Sequence, residues 1–292
     1  MRILKFFNRH DNTRALSVLF PCIFWIGIFF LLPLVLMAVY SFLERGLYGG
    51  VRWLFTWENY TRFLDPLYLK ILLRTFRISF LTTVILLLIG YPMAYRIARA
   101  DKRWRNILLF LVILPFWTSD LIRTYAWMLI LRDTGLLNHV LQYLYIIRKP
   151  LTMLYTEGAI LLGIAYVYLP FMVLPLYASI EKLDPALLEA AEDLGATPFW
   201  RFLKVTVPLT KSGILAGSLL VFIPSVGVFV VSDLLGGAKA MMIGNLVQLQ
   251  FGPARNWPFG SAASFILMTI VLFAIFAYLK FAGGKEALEE VQ

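Results

Sequence analysis

Trp117, Asp120, Thr124 and Trp127 recur at spacings of three, four and three residues inside a largely apolar run. In a continuous helix that spacing puts all four on one face. Two indoles flanking a carboxylate suit an amine cation, by ion pairing and cation-π attraction together. Tyr125 extends the same candidate pathway, and Asp233 adds a carboxylate at the outer end of a later run with Ser225 and Phe229 on its face. A carboxylate inside a membrane is costly enough that a functional role is its default reading. A structural role stays open: Arg123 stands one turn from Asp120, and Arg77 lies at a similar depth, so either can neutralise it. Glu157, which begins another run, reads as an interfacial carboxylate without a ligand, and Tyr166, Tyr168 and Phe171 read as helix packing. His10, His139 and the single Cys22 are too few and too scattered for a metal site or a disulfide framework. No Gly-x-x-x-x-Gly-Lys-Ser/Thr stretch is present, so hydrolysis of ATP is expected of a partner and not of this chain.

The elements that must position these residues are membrane spans. The 292 residues are 60% hydrophobic, 16% aromatic and only 15% charged, whereas soluble domains carry about 25% charge. An all-α, polytopic membrane protein with six transmembrane helices is expected. Residues 1–14 form a basic leader segment and 15–43 an uncharged run longer than the roughly 20 residues a bilayer needs. That run is too long for a secretory signal and reads as a retained first span. Residues 44–70 are an aromatic-rich segment at the outer interface with a short surface helix. Residues 71–280 hold the other five helices, with the polar loop 181–211 on the inner side, and 281–292 are a tail. Within that core the second span ends near Tyr95 with a kink at Gly90 and Pro92. The third runs from Asn106 to Leu131 and is broken by Pro115. Counted along a helix, Asp120 then lies roughly 21 Å from the inner end. An outer segment from Arg132 precedes the fourth span, Gly158 to Ile180. The fifth is Ser212 to Ser232, and a turn-rich outer loop through Gly236-Gly237 and Gly244 dips toward the pathway before the sixth, which ends at Leu279.

The formal charge of +10 raises nucleic acid as a partner, but the basic residues sit in short clusters between apolar runs, so no nucleic acid is expected. Clusters at Arg2, Lys5, Arg9 and Arg14, at Arg96 to Arg105, and at Lys182, Arg201, Lys204 and Lys211 outnumber those on the opposite side. The positive-inside rule then puts both termini and the 181–211 loop in the cytoplasm.

That loop carries its own helix punctuation. Asp184 before Pro185 reads as an N-cap followed by proline at the first helical position, and Gly195 as the left-handed stop. Thr197-Pro198 repeats the start signal for a second, mostly apolar helix. Glu189-Ala190-Ala191, Gly195 and Pro208, with Val205 and Val207 between, resemble the cytoplasmic Glu-Ala-Ala loop of ABC-importer permeases. Glu189, Ala190, Ala191, Glu192, Gly195 and Pro208 are therefore the expected ATPase-coupling residues: small alanines admit a partner's groove, and exposed carboxylates meet its basic groups.

Leu114-Pro115-Phe116-Trp117 through Trp127, Asp233 through Lys239, and Asn256-Trp257-Pro258-Phe259-Gly260 look like permease subunits of bacterial spermidine/putrescine (polyamine) ABC importers. The resemblance implies the type I importer permease fold in the bacterial inner membrane. It also implies a heterodimer with a second permease, two copies of a cytoplasmic ATPase that uses ATP and Mg, and a periplasmic polyamine-binding protein. The chain itself is expected to bind no cofactor. Two other readings stay open: a related importer for ferric iron, a phosphonate or an opine, and a membrane enzyme or secondary carrier acting alone. The last needs a catalytic cluster or an inverted repeat, and neither is visible.

Overall fold

The computed structural model describes residues 19–22 and 24–282. The basic residues before Leu19 and the tail with Lys285, Glu286, Glu289 and Glu290 lie outside them. Helix α1, Leu19–Ser41, is apolar on every side and contains a π turn at Gly27–Leu31. The expected surface segment after it is more structured than its sequence suggested. Strands β1, Leu43–Arg45, and β2, Val51–Phe55, pair antiparallel, so the described fold is not purely helical. Gly49 and Gly50 turn the hairpin at φ +94 and +78, as tight turns favour. Helix α2, Glu58–Phe63, is the short surface helix that was expected.

Chain contacts divide the molecule into two compact units, one comprising residues 1–64 and 249–269, the other 65–248 and 270–292. In the first unit Phe42, Phe55, Trp57 and Tyr60 form an aromatic cluster with centroids 5.0 to 5.9 Å apart. Gly50 N–H donates to the Arg255 carbonyl at 2.8 Å, and the Arg45 guanidinium donates to the Ala254 carbonyl, also at 2.8 Å.

The second unit is built on three helices: α3, Pro66–Ala98, capped by Asp65; α7, Glu157–Glu181, capped by Thr156; and α10, Lys211–Gly227. The stretch between α3 and α7 holds α4, Lys102–Ile113; a 3-10 turn, Leu114–Trp117; α5, Asp120–Leu131; and α6, Leu136–Tyr143. The stretch between α7 and α10 holds α8, Pro185–Asp193, and α9, Pro198–Leu209. Lipid offers apolar surfaces no drive to separate from it, so helices meet through small residues and close fit. A Cβ added at Gly213 of α10 would lie 2.8 Å from the Pro175 carbonyl of α7, and one at Gly217 would lie 2.9 Å from Met172 Sδ. The buried side chains of Leu86, Met172, Val173, Leu176 and Val221 fill the space around that contact.

Three expected spans or loops differ from the structure. The third span is not one helix: the axis turns by 91° between Lys102–Trp117 and Asp120–Tyr143. Pro115 removes a backbone donor, and Thr118 and Ser119 are extended. The fifth span stops at Gly227 because Val228 is extended, and Val231 to Asp233 belong to a separate helix α11, Val230–Gly236. The outer loop that follows is helical: a 3-10 turn, Gly237–Ala240, leads to α12, Ile243–Phe251, bent by 97° from the segment before it. Asn245 holds that bend, accepting from Ser232 Oγ at 2.6 Å and from the Met242 N–H while donating to the Phe229 carbonyl. The last helix, α13, is Trp257–Ala282. Among the described residues, four helices are long and apolar enough to cross a membrane, or up to seven if each bent pair is one span.

Candidate functional site: a capped loop and a broken helix

The loop after α7 follows its sequence closely. Asp184 Oδ1 accepts from the Ala186 N–H at 2.9 Å, fixing the start of α8. At its end the Gly195 N–H donates to the Glu192 carbonyl at 2.8 Å and the Ala196 N–H to the Ala191 carbonyl at 3.0 Å. This pair of bonds is the Schellman stop, with Gly195 at φ +81. Nothing lies within 4 Å of a Cβ built at Gly195, so the position demands glycine for its backbone and not for space. Thr197 Oγ1 accepts from the Trp200 N–H to open α9. Within α9, residues Phe202–Thr206 form a π turn. The cause is Pro208, which has no N–H to give the Lys204 carbonyl; the wider turn carries the Val207 N–H to the Phe202 carbonyl instead.

The two helices leave Glu189, Ala190, Leu194, Phe199 and Trp200 exposed, Leu194 to 89%. A concavity lined by Ala191, Leu194, Gly195, Thr197, Trp200 and Lys204 runs between them. Glu192 is less available than expected, because Arg201 pairs with it inside the loop. The loop is tied to the three-helix core at two points. Tyr91 OH of α3 and Thr210 Oγ1 are 2.7 Å apart, and Arg105 of α4 pairs with Glu181 at the end of α7.

Asp120 sits in a different setting from the one its spacing predicted. It is the first residue of α5, at a helix N-terminus that favours a negative charge. Trp117 lies before the bend, 74% exposed and edge-on to Phe110 at 5.7 Å. Trp127 packs on Tyr166 of α7 at 5.6 Å. The single face with two indoles about a carboxylate is therefore corrected, since it required one continuous helix, and so is the depth of 21 Å counted along it. Tyr125 is exposed, as is Asp233 on α11, which has no ion-pair partner among the described residues; the break at Val228 separates it from Ser225.

What surrounds Asp120 instead is Arg123 and a run of aromatic rings. Arg123 Nη2 lies 3.9 Å from Asp120 Oδ1, and the guanidinium sits 5.5 Å from the centre of the Phe116 ring. Phe116 meets Phe171 of α7 edge-on at 5.1 Å, and Phe171 is 5.9 Å from Tyr168, whose phenol is within electrostatic reach of Asp120. Phe116, Tyr168 and Phe171 were not expected here. Phe116 directly precedes the bend, while the other two become visible only once α7 packs beside it. Arg77 is not the partner of Asp120: it and Arg74 both pair with Glu157, Arg74 Nε at 3.2 Å from its carboxylate.

The comparisons with known proteins agree with this architecture. Residues 86–282 match the family described as binding-protein-dependent transport system inner membrane component. The spermidine/putrescine transport system permease protein PotB of Escherichia coli is 47% identical over 248 residues, which covers 85% of this chain and 90% of that one. The protein of the same name from Haemophilus influenzae is 44% identical over 289 residues, covering 98% and 100%. A crystal structure of a bacterial alginate importer superposes with a TM-score of 0.68 at 17% identity, covering 94% of this chain and 96% of that one. That likeness carries the permease fold. By family match and by relatives alike, the chain belongs to the binding-protein-dependent transport system inner membrane components, the membrane permeases of ABC importers.

Proposed function

We propose that this permease carries polyamines, spermidine or putrescine, and forms half of their translocation pathway. The observation that supports this cargo is the 44 to 47% identity to permeases named for spermidine and putrescine. The amine chemistry fits Asp120, a carboxylate set among Phe116, Tyr168 and Phe171. On this reading a second permease completes the pathway and a periplasmic polyamine-binding protein delivers cargo. Two copies of a cytoplasmic ATPase use ATP and Mg, and the chain itself has no catalytic role and binds neither cofactor nor nucleic acid. Both termini and the α8–α9 loop face the cytoplasm of a cell with an inner membrane.

The coupling role follows from the loop's construction. A groove on the ATPase that receives Glu189, Ala190, Ala191 and the exposed Leu194 would grip a helix locked at both ends. Its motion reaches α3 through the Thr210–Tyr91 bond, α4 through Glu181 and Arg105, and α10 directly. Glu192 acts here by bracing Arg201, and Pro208 by setting the π turn.

One observation favours another cargo. The buried Arg123 has two nitrogens, Nε and Nη1, without hydrogen-bond partners, which suits an anion such as a phosphonate. A molybdenum transport permease of Azotobacter vinelandii is also 29% identical over 217 residues. The deciding experiment is ATP-driven uptake of labelled spermidine by proteoliposomes holding both permeases, the ATPase and the binding protein. The polyamine reading expects uptake that putrescine competes and a phosphonate does not. Uptake absent for polyamines and present for an anion would overturn it.

A further inference from the structure

The pairing of Arg123 with Asp120 is unlike the other ion pairs of this unit. Arg74 and Arg77 converge on Glu157, Arg105 bonds Glu181, and Arg201 bonds Glu192, each within reach of a direct contact. A structural arginine–carboxylate pair normally closes to about 2.7 to 2.9 Å. Arg123 instead stops at 3.9 Å and makes no hydrogen bond to Asp120. Its side chain is only 8% exposed, yet Nε, Nη1 and the facing Asp120 Oδ1 are all without partners among the described residues. Leaving a buried guanidinium this poorly satisfied is costly, so the arrangement is not explained as a device for stability. Asp120 as a whole is 42% exposed, so its carboxylate can be approached while Oδ1 faces the arginine.

The guanidinium occupies the two features an organic amine would use: the carboxylate of Asp120 and, at 5.5 Å, the face of Phe116. We infer that Arg123 is a built-in competitor for this amine site, a tethered cation that incoming cargo displaces and that returns to expel it. The inference rests on the polyamine reading and adds to it a residue that sets how tightly the site holds. A transit site has to bind well enough to admit its cargo and weakly enough to release it. A bare carboxylate among aromatic rings in a low-dielectric setting would hold a diamine or triamine too long. The loose, unbonded pair keeps the exchange open, because no hydrogen bond must break before an ammonium group enters.

The test uses the assembled complex of both permeases and the ATPase in detergent, without binding protein or nucleotide, and equilibrium dialysis with labelled spermidine. Arg123→Gln keeps most of the size and the polar character and removes the charge. It is expected to bind spermidine at least about tenfold more tightly than the unaltered complex, with slower ATP-driven uptake at saturating binding protein. The double variant Asp120→Asn with Arg123→Gln is expected to lose that gain. Arg123→Lys keeps the competing charge and is expected to stay within about twofold of the unaltered affinity. Unchanged or weaker binding by Arg123→Gln at normal complex yield overturns the inference. So does failure of Arg123→Gln to assemble while Arg123→Lys assembles, which would make the charge structural. Spermidine uptake by the unaltered complex separates the two claims. If it is normal, those outcomes overturn only the competitor role; if it is absent, the polyamine reading falls and the inference with it.

Discussion

The α8–α9 loop and the bend at Thr118-Ser119 are both places where a helix stops and another begins, yet they are held by opposite means. In the loop every stop and start has a local cause within a few residues: the Asp184 and Thr197 caps, the Gly195 turn and the Pro208 π turn. At the bend, Ser119 makes no side-chain cap bond, and the direction of α5 depends on what α7 and α11 present to it. A locally fixed element can be gripped and moved as one body, which suits a lever. An element held by its neighbours shifts when they shift, which suits a site that must open and close.

The largest effect is expected where the lever meets the helices that carry the site. Gly213→Leu would drive a side chain into the Pro175 carbonyl and Ser179 of α7, where overpacking costs about 1 to 3 kcal/mol or more. Complex yield should fall sharply, and a normal yield would show that the α7–α10 contact is looser than described. Next comes Gly195→Val, which strains a φ of +81 by about 1 to 2 kcal/mol. With open space around its Cβ, the permease should still fold while ATPase recovery and transport drop. Full ATPase recovery with full transport would remove the locked lever from the account.

Asp184→Ala should have a smaller effect. Losing the bond to the Ala186 N–H costs about 1 kcal/mol, read as partial loss of ATPase recovery that Asp184→Ser restores. If serine fails to restore it, the carboxylate does something other than cap. Changes of this kind at Ser119 should do little, because no cap bond exists there to lose. That contrast sharpens the comparison.

The same division explains how far the sequence could be read. α8, its caps and its glycine stop were legible because their causes are neighbours in the chain. The three long packed helices were legible from hydropathy, although α3 begins at Pro66, earlier than its uncharged core suggested. The bend at Thr118-Ser119 had a local signal that was under-read: Ser119-Asp120 after Pro115 is itself a helix start. The helical character of residues 230–251 was hidden by its glycines. Their role becomes visible only when Asn245 bridges the break to Phe229 and Ser232, and when Thr75 of α3 accepts from the Ile243 N–H. For Asp120 the charge was visible from the sequence, but its surroundings were not, because Tyr168 and Phe171 are about 50 residues away on α7.

The central claim is that Asp120 meets an amine in transit, and one paired measurement addresses it: complex yield and ATP-driven spermidine uptake for Asp120→Asn. A charge-assisted hydrogen bond contributes about 1.5 to 3 kcal/mol, so a pathway role predicts normal yield with uptake reduced roughly tenfold or more. Normal yield with unchanged uptake would contradict the claim, and a lost yield that Arg123→Gln restores in the double variant would make the pair structural instead.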